Sequence, residues 1–171
     1  AFGGSLGARS INETLANSLD FFRNENVQLL WQTGAGHFAI AQEKARGYES
    51  HVQVREFIRE MDLAYAAADI IISRAGASSI AELCIVGKPV IFVPFPFASE
   101  DHQTHNALAL VKHNAALMVK DQDVQQELIK KLNNLLHDDT QCELLRSNIK
   151  PLSVLHADQQ IAEKIIDIAQ S

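Results

Sequence analysis

Short apolar runs rich in β-branched residues alternate along the chain with stretches whose apolar positions recur at helical spacing. The runs at 27–33, 51–57, 69–73, 89–94 and 116–119, with a stub at Ala1–Phe2, predict strands. The periodic stretches near 8–22, 36–46, 61–68, 78–86, 103–113 and 124–137 predict helices. Two runs, Ile70-Ile71-Ile72 and Val90-Ile91-Phe92-Val93, are continuously apolar, as expected of strands buried on both faces of a parallel sheet. The βα alternation therefore predicts an α/β fold with a doubly wound parallel sheet. The tail from Asp139 reads as a helix, a break at Pro151, and a last amphipathic helix with a stripe of Ile161, Ile165, Ile166 and Ile168.

At 171 residues the chain fits one domain, spanning 1–171, and no internal repeat or linker divides it. A strand normally runs about five residues, so Ala1–Phe2 reads as a strand cut in half and the chain as a piece of something longer. With a net charge of −6 and no basic run beyond Lys130-Lys131, nucleic acid is not an expected partner. Cys84 and Cys142 stand far apart in apolar or helical surroundings. Their spacing suits neither zinc nor a disulfide framework, and it points to a reducing, cytosolic setting. No stretch approaches the 18 or so apolar residues that a membrane span needs.

In a doubly wound sheet, ligands bind outside the carboxyl ends of the strands, so the residues just after each strand matter most. After the stub comes Gly3-Gly4-Ser5-Leu6-Gly7-Ala8. Glycines let a backbone approach a ligand, and a helix start offers unpaired N–H groups; together they suit a diphosphate. A tight turn without a ligand explains the same residues. The segment is not a Walker loop, and no acid closes the second strand, so a nicotinamide dinucleotide is not indicated. It does match G-x-S-x-G, which leaves a serine hydrolase built on Ser5, Asp138 and His156 as an alternative, although the strands expected ahead of such an elbow are missing.

The 69–73 strand runs into Arg74-Ala75-Gly76-Ala77-Ser78-Ser79-Ile80-Ala81-Glu82. Ser78 or Ser79 is expected to cap the following helix, with amides facing an anion. Glu82, one turn on, is suited to a ribose diol; a capping box back to Ser78 or Ser79 is the structural alternative. The strand at 89–94 opens into Phe95-Pro96-Phe97 and a polar loop, 98–106, in which Gln103 and Asn106 carry amides suited to sugar hydroxyls. The two phenylalanines are expected to pack on neighbouring loops rather than on a membrane. His102 and His105 with Glu100 or Asp101 do not complete a metal ligand set.

Taken together, GGSLGAR, VREFIREM, SRAGASSIAE, PVIFVPFP and EDHQTHNA resemble the carboxy-terminal domain of the MurG family of glycosyltransferases, in the right order over nearly the whole chain. The resemblance implies the Rossmann-like carboxy-terminal half of a GT-B enzyme, with the active site in the cleft between two domains. It implies that Ser5 contacts the donor diphosphate, with Gly4, Gly7 and Gly76 in the phosphate turns. The backbone of Ile58 would meet the uracil. Ala77, Ser78, Ser79, Ile80 and Ala81 would wrap the phosphates and nucleoside, Glu82 would bind the ribose and Gln103 the N-acetylglucosamine. Ser79 stands where the family often has threonine, and His102 stands where some relatives carry a second glutamine.

By the same resemblance the full-length protein transfers N-acetylglucosamine from UDP to lipid I, with inversion, without metal or other cofactor, as a peripheral protein of the inner face of the bacterial plasma membrane serving peptidoglycan synthesis. The acceptor domain, with its general base and a donor-assisting arginine, would lie outside this chain, which alone is expected to bind donor and catalyse nothing. A UDP-sugar-binding subunit of a two-chain transferase is the other reading of the same half-fold.

Overall fold

The computed structural model describes residues 1–3 and 8–170. Its buried apolar runs form five short parallel strands: β1 (Leu29–Gln32), β2 (Val52–Arg55), β3 (Ile71–Ser73), β4 (Val90–Phe92) and β5 (Leu117–Met118). β1 pairs with β2 from Leu29↔Val52 to Gln32↔Arg55. On the other side β3 pairs with β4 from Ile71↔Val90 to Ser73↔Phe92, and β4 with β5 through Ile91↔Leu117 and Phe92↔Met118. Phe2 lies between the two groups, with parallel bridges to Gln32 and Ser73. The resulting order, β2-β1-Phe2-β3-β4-β5, is that of a doubly wound nucleotide-binding sheet whose direction of winding reverses between the stub and β3.

Alternate side chains of β3, β4 and β5 enter different cores. Ile72, Ile91, Val93 and Val119 join Ile11, Leu15, Phe22, Trp31, Leu128 and Leu135. Ile71, Val90 and Phe92 join Leu83, Ala107, Leu110 and Ile149. Because successive strand residues point to opposite faces, each cluster belongs to one face, and the continuous apolar runs are explained. The first face is covered by α1 (Arg9–Ala16), α2 (Leu19–Asn24), α3 (Ala35–Lys44) and α7 (Val124–Leu136); the second by α4 (Met61–Ala67), α5 (Ala77–Val86) and α6 (His102–Lys112). In α7 the buried residues Val124, Leu128, Leu132 and Leu135 recur at helical spacing.

The expected single helix at 8–22 is two. α1 ends at the C-cap Asn17, and α2 restarts after Ser18. Asn and Ser compete with the helix for backbone hydrogen bonds, and the break rephases the chain so that Leu15, Leu19 and Phe22 are all buried. In the tail, α8 (Asp139–Ile149) gives way to a 3₁₀ turn at Lys150–Leu152 containing Pro151, then to α9 (Ala157–Gln170). The expected break is present, but α9 buries none of its residues, and Ile161, Ile165 and Ile166 are all exposed. No helix among the described residues is long and apolar enough to cross a membrane.

Candidate functional site

In a doubly wound sheet the ligand crevice is expected at the carboxyl ends of the strands beside the winding reversal, here the stub and β3. Ser5, Gly4 and Gly7, expected on one side of it, lie outside the described residues. On the other side, β3 passes through Arg74 and Ala75 into α5. The helix starts earlier than expected. Gly76, extended at φ −66° and ψ 150°, takes the cap position, and neither Ser78 nor Ser79 caps with its side chain. Both serines sit in the first turn, because Ala77 extends the helix to Gly76. The bond from Ile80 N–H to Gly76 O is 2.9 Å, so the amides of Ala77, Ser78 and Ser79 belong to the helix start that has no acceptor within the helix. A Cβ on Gly76 would meet only Ser79 Oγ, at 3.9 Å. Neither its φ nor its neighbours demand glycine; what the residue provides is open space before the amides.

Glu82 does not reach back to the serines. Its Oε2 accepts a 3.0 Å hydrogen bond from the Tyr65 hydroxyl of α4, so the capping-box alternative is replaced by a contact between helices. Partial burial, and then the Glu82 carboxylate, push the Tyr65 phenol above its ordinary range, so the hydroxyl stays a donor.

Ile58 follows β2. Beyond the last strand pair, Thr33 N–H donates to Arg55 O (2.9 Å) and Gly34 N–H to Glu56 O (3.1 Å). The Gln32 side chain adds another rung, its Oε1 accepting from Ile58 N–H at 2.8 Å. The Ile58 N–H is thus held within the chain. Gln32 was not singled out from sequence, although a glutamine at the end of a buried strand needs a partner.

Gln103 lies in the first turn of α6, and its Oε1 accepts from two backbone amides, Ala75 N–H at 3.2 Å and Phe95 N–H at 3.0 Å. Asn106 Nδ2 donates to Ala75 O at 3.3 Å. α6 therefore pins the loops that follow β3 and β4, and the Gln103 Nε2 group is its remaining donor set. His102, one residue earlier, turns back to Ser99 O at 2.7 Å.

Behind these loops lies a polar knot that sequence reading missed. Arg74 Nη1 reaches Val93 O and Pro94 O, both at 3.0 Å, and Asp121 Oδ1 at 2.5 Å, while Nη2 donates to Ser10 Oγ at 3.1 Å. Ser10 in turn donates to Asp121. The guanidinium also stacks over Phe95, 5.6 Å from the ring centroid. Phe95 packs edge-on against Phe97 at 5.7 Å, yet Phe97 remains 84% exposed, so only the first of the two phenylalanines is held as expected. A charge at the end of an apolar strand was the available signal; its partners, up to 64 residues away, were not.

Asp138 Oδ1 accepts from Gln141 N–H at 2.8 Å and caps α8, a structural task that weakens the hydrolase alternative. Among the described residues no group of three or more metal-ligating side chains gathers. A cavity of about 610 Å³ lies along Ala1 and Phe2, walled largely by apolar residues such as Leu29, Ile72 and Leu132. Its lining also carries the amides of Asn26, Gln28 and Gln53 and reaches Ile58 and Tyr65.

A doubly wound sheet with a glycine-opened helix start at its winding reversal, a carboxylate beyond it and an amide side chain beside it is the arrangement of a Rossmann-like α/β domain. The chain matches the glycosyltransferase family 28 C-terminal domain over residues 1–165 and belongs to that family. It is 46% identical over 167 residues to the UDP-N-acetylglucosamine–N-acetylmuramyl-(pentapeptide) pyrophosphoryl-undecaprenol N-acetylglucosamine transferase of Parabacteroides distasonis, covering 97% of this chain and 45% of that protein. The enzyme of the same name from Christiangramia forsetii is also 46% identical, over 95% of this chain and 44% of its own. The crystal structure of Acinetobacter baumannii MurG superposes with a TM-score of 0.81 at 30% identity, over 97% of this chain and 50% of that one. A UDP-N-acetylglucosamine 2-epimerase shares the fold at a TM-score of 0.62 and 16% identity. The family resemblance read from the motifs is thus borne out, and the chain spans a little under half the length of the curated relatives it matches.

Proposed function

We propose that this chain is the donor-binding domain of an inverting transferase that moves N-acetylglucosamine from UDP-N-acetylglucosamine to lipid I, forming lipid II for peptidoglycan. The observation that carries the reading is the α5 start: Gly76 leaves room before the amides of Ala77, Ser78 and Ser79, and Glu82 lies one turn beyond. Those amides and the helix dipole suit a diphosphate. Ser5 adds a hydroxyl from the first glycine turn, between Gly4 and Gly7. Ile80 and Ala81 extend the wall beside the nucleoside, and Glu82 accepts from the ribose hydroxyls. With Ile58 N–H held by Gln32, the Ile58 carbonyl is the group left to accept from uracil N3–H. Gln103 offers its Nε2 group to the sugar.

The acceptor's C4 hydroxyl attacks the anomeric carbon as the bond from that carbon to the UDP oxygen breaks, and a general base takes the hydroxyl proton. The leaving UDP gains negative charge where the helix start already points donors, an arrangement that favours the transition state. The general base, the lipid I site and the contact with the inner face of the plasma membrane belong to the other domain of the full-length enzyme. No step assigned to this chain needs a metal or other cofactor.

Calorimetric titration of the chain with UDP, repeated on Glu82→Ala, tests the reading. Weakening of about tenfold or more is expected, since one hydrogen bond to a charged group contributes about that. Equal affinity for both proteins, or no binding at millimolar UDP, counts against it.

A further inference from the structure

Glu82 does not stand alone in the fold. From the Tyr65–Glu82 hydrogen bond we infer that Tyr65 is a positioning residue for Glu82 and thereby sets the preference for a ribose over a 2′-deoxyribose, an inference that rests on the ribose role proposed above.

Tyr65 and Glu82 come from different helices, α4 and α5, and meet across a groove of about 570 Å³ that both line. Tyr65 is itself fixed. Its ring is half-buried against the second-face core and meets Phe2 edge-on at 5.9 Å, so the hydroxyl projects from a side chain with little freedom. Glu82 is exposed, and a long exposed carboxylate loses rotamer freedom when it is held to one geometry. The hydroxyl holds one oxygen, Oε2, and leaves Oε1 with its lone pairs to a diol. Ordering before the ligand arrives lowers the cost of binding. Tyr65 suits the task because it remains protonated and so always donates. Asp62 and Lys88 also line the groove, so its charge is mixed and the Glu82 carboxylate itself is the acceptor for hydroxyl donors. The contact between Phe2 and Tyr65 further ties the position of Glu82 to the strand that leads into the first glycine turn.

The test compares UDP with 2′-deoxy-UDP on the wild type, Tyr65→Phe and Glu82→Ala by calorimetry. Tyr65→Phe keeps the ring and its packing on Phe2 and removes only the hydroxyl, and a thermal melt of each variant checks that the fold is kept. Wild type is expected to prefer UDP by about tenfold, and Tyr65→Phe by about two- to threefold, from the loss of one ordering hydrogen bond. Affinity for 2′-deoxy-UDP, which keeps only the 3′-hydroxyl bond to Glu82, should fall by a smaller factor than affinity for UDP, an outcome that general loosening of the site would not give. Undiminished preference in Tyr65→Phe, while Glu82→Ala loses it, overturns the role of Tyr65 and leaves that of Glu82 intact. Absence of any preference in the wild type overturns both. A parallel fall in affinity for the two ligands in Tyr65→Phe shows a structural role and overturns the inference.

Discussion

Substituting methionine for Arg74 removes the cation from the knot behind the candidate site while keeping much of its volume. The side chains of Arg74 and Asp121 are 11% and 20% exposed, so water cannot fully replace the lost partner. Breaking a buried ion pair by deleting one member costs about 3–5 kcal/mol, and the Val93 and Pro94 carbonyls each lose a charged donor. The residual exposure of Asp121 places the total near the lower end, about 3 kcal/mol. For a domain of this length that corresponds to a fall in Tm of roughly 6–12 °C. The single tryptophan, Trp31, is buried and bonded through Nε1 to Asn12 Oδ1, so its fluorescence reports urea unfolding. Adding Asp121→Asn to the methionine variant removes the stranded charge but keeps an acceptor for Ser10. The double variant is therefore expected to recover at least about 1 kcal/mol relative to additivity. A loss below about 1 kcal/mol in Arg74→Met, or strict additivity in the cycle, would refute the claim that the pair is enclosed.

Gly87 ends α5 at φ +66°, and a Cβ there would lie 2.7 Å from Lys150 Cγ. Gly87→Ala is expected to cost about 1–2 kcal/mol, mainly from the left-handed backbone, and adding Lys150→Ala should restore only the steric part in urea unfolding. Cys84 and Cys142 are both buried, and burial raises both thiols above their ordinary range. At pH 7 iodoacetamide should leave both unmodified in the folded chain and label both in urea; mass spectrometry of the native protein showing rapid labelling of either would count against this.

The parallel sheet was legible because strands buried on two faces have no polar side to show, as at Ile70-Ile71-Ile72. The division of the first helix was not, since Asn17-Ser18 is tolerated within a helix and only the burial of Leu19 and Phe22 selects the break. The α5 start was misplaced for a related reason. Ser78 and Ser79 are both favoured caps, but Ala77 let the helix run one turn residue further back to Gly76. At the proposed site, residue type and position single out Glu82 and Gln103 as candidates. Their partners could not: Tyr65 lies 17 residues from Glu82, Gln32 lies 26 from Ile58, and Asp121 lies 47 from Arg74. Periodicity carries local conformation, whereas these pairings are decided by which strand ends the topology brings together.

One oxygen of Gln103 holds the amides of two loops at once. With the sugar contact proposed above, the position is constrained twice over, once by the group it would offer to the donor and once by the loops it keeps in register. Any replacement that alters ligand choice by shortening the side chain, such as asparagine, also releases Ala75 and Phe95. Glutamate keeps the two-loop acceptor while exchanging the outward donor for an acceptor. His102, one residue earlier, bonds within its own turn, to Ser99 O, so a substitution there leaves the two Gln103 bonds in place. A change at that position moves one contact without unfastening the floor beneath it.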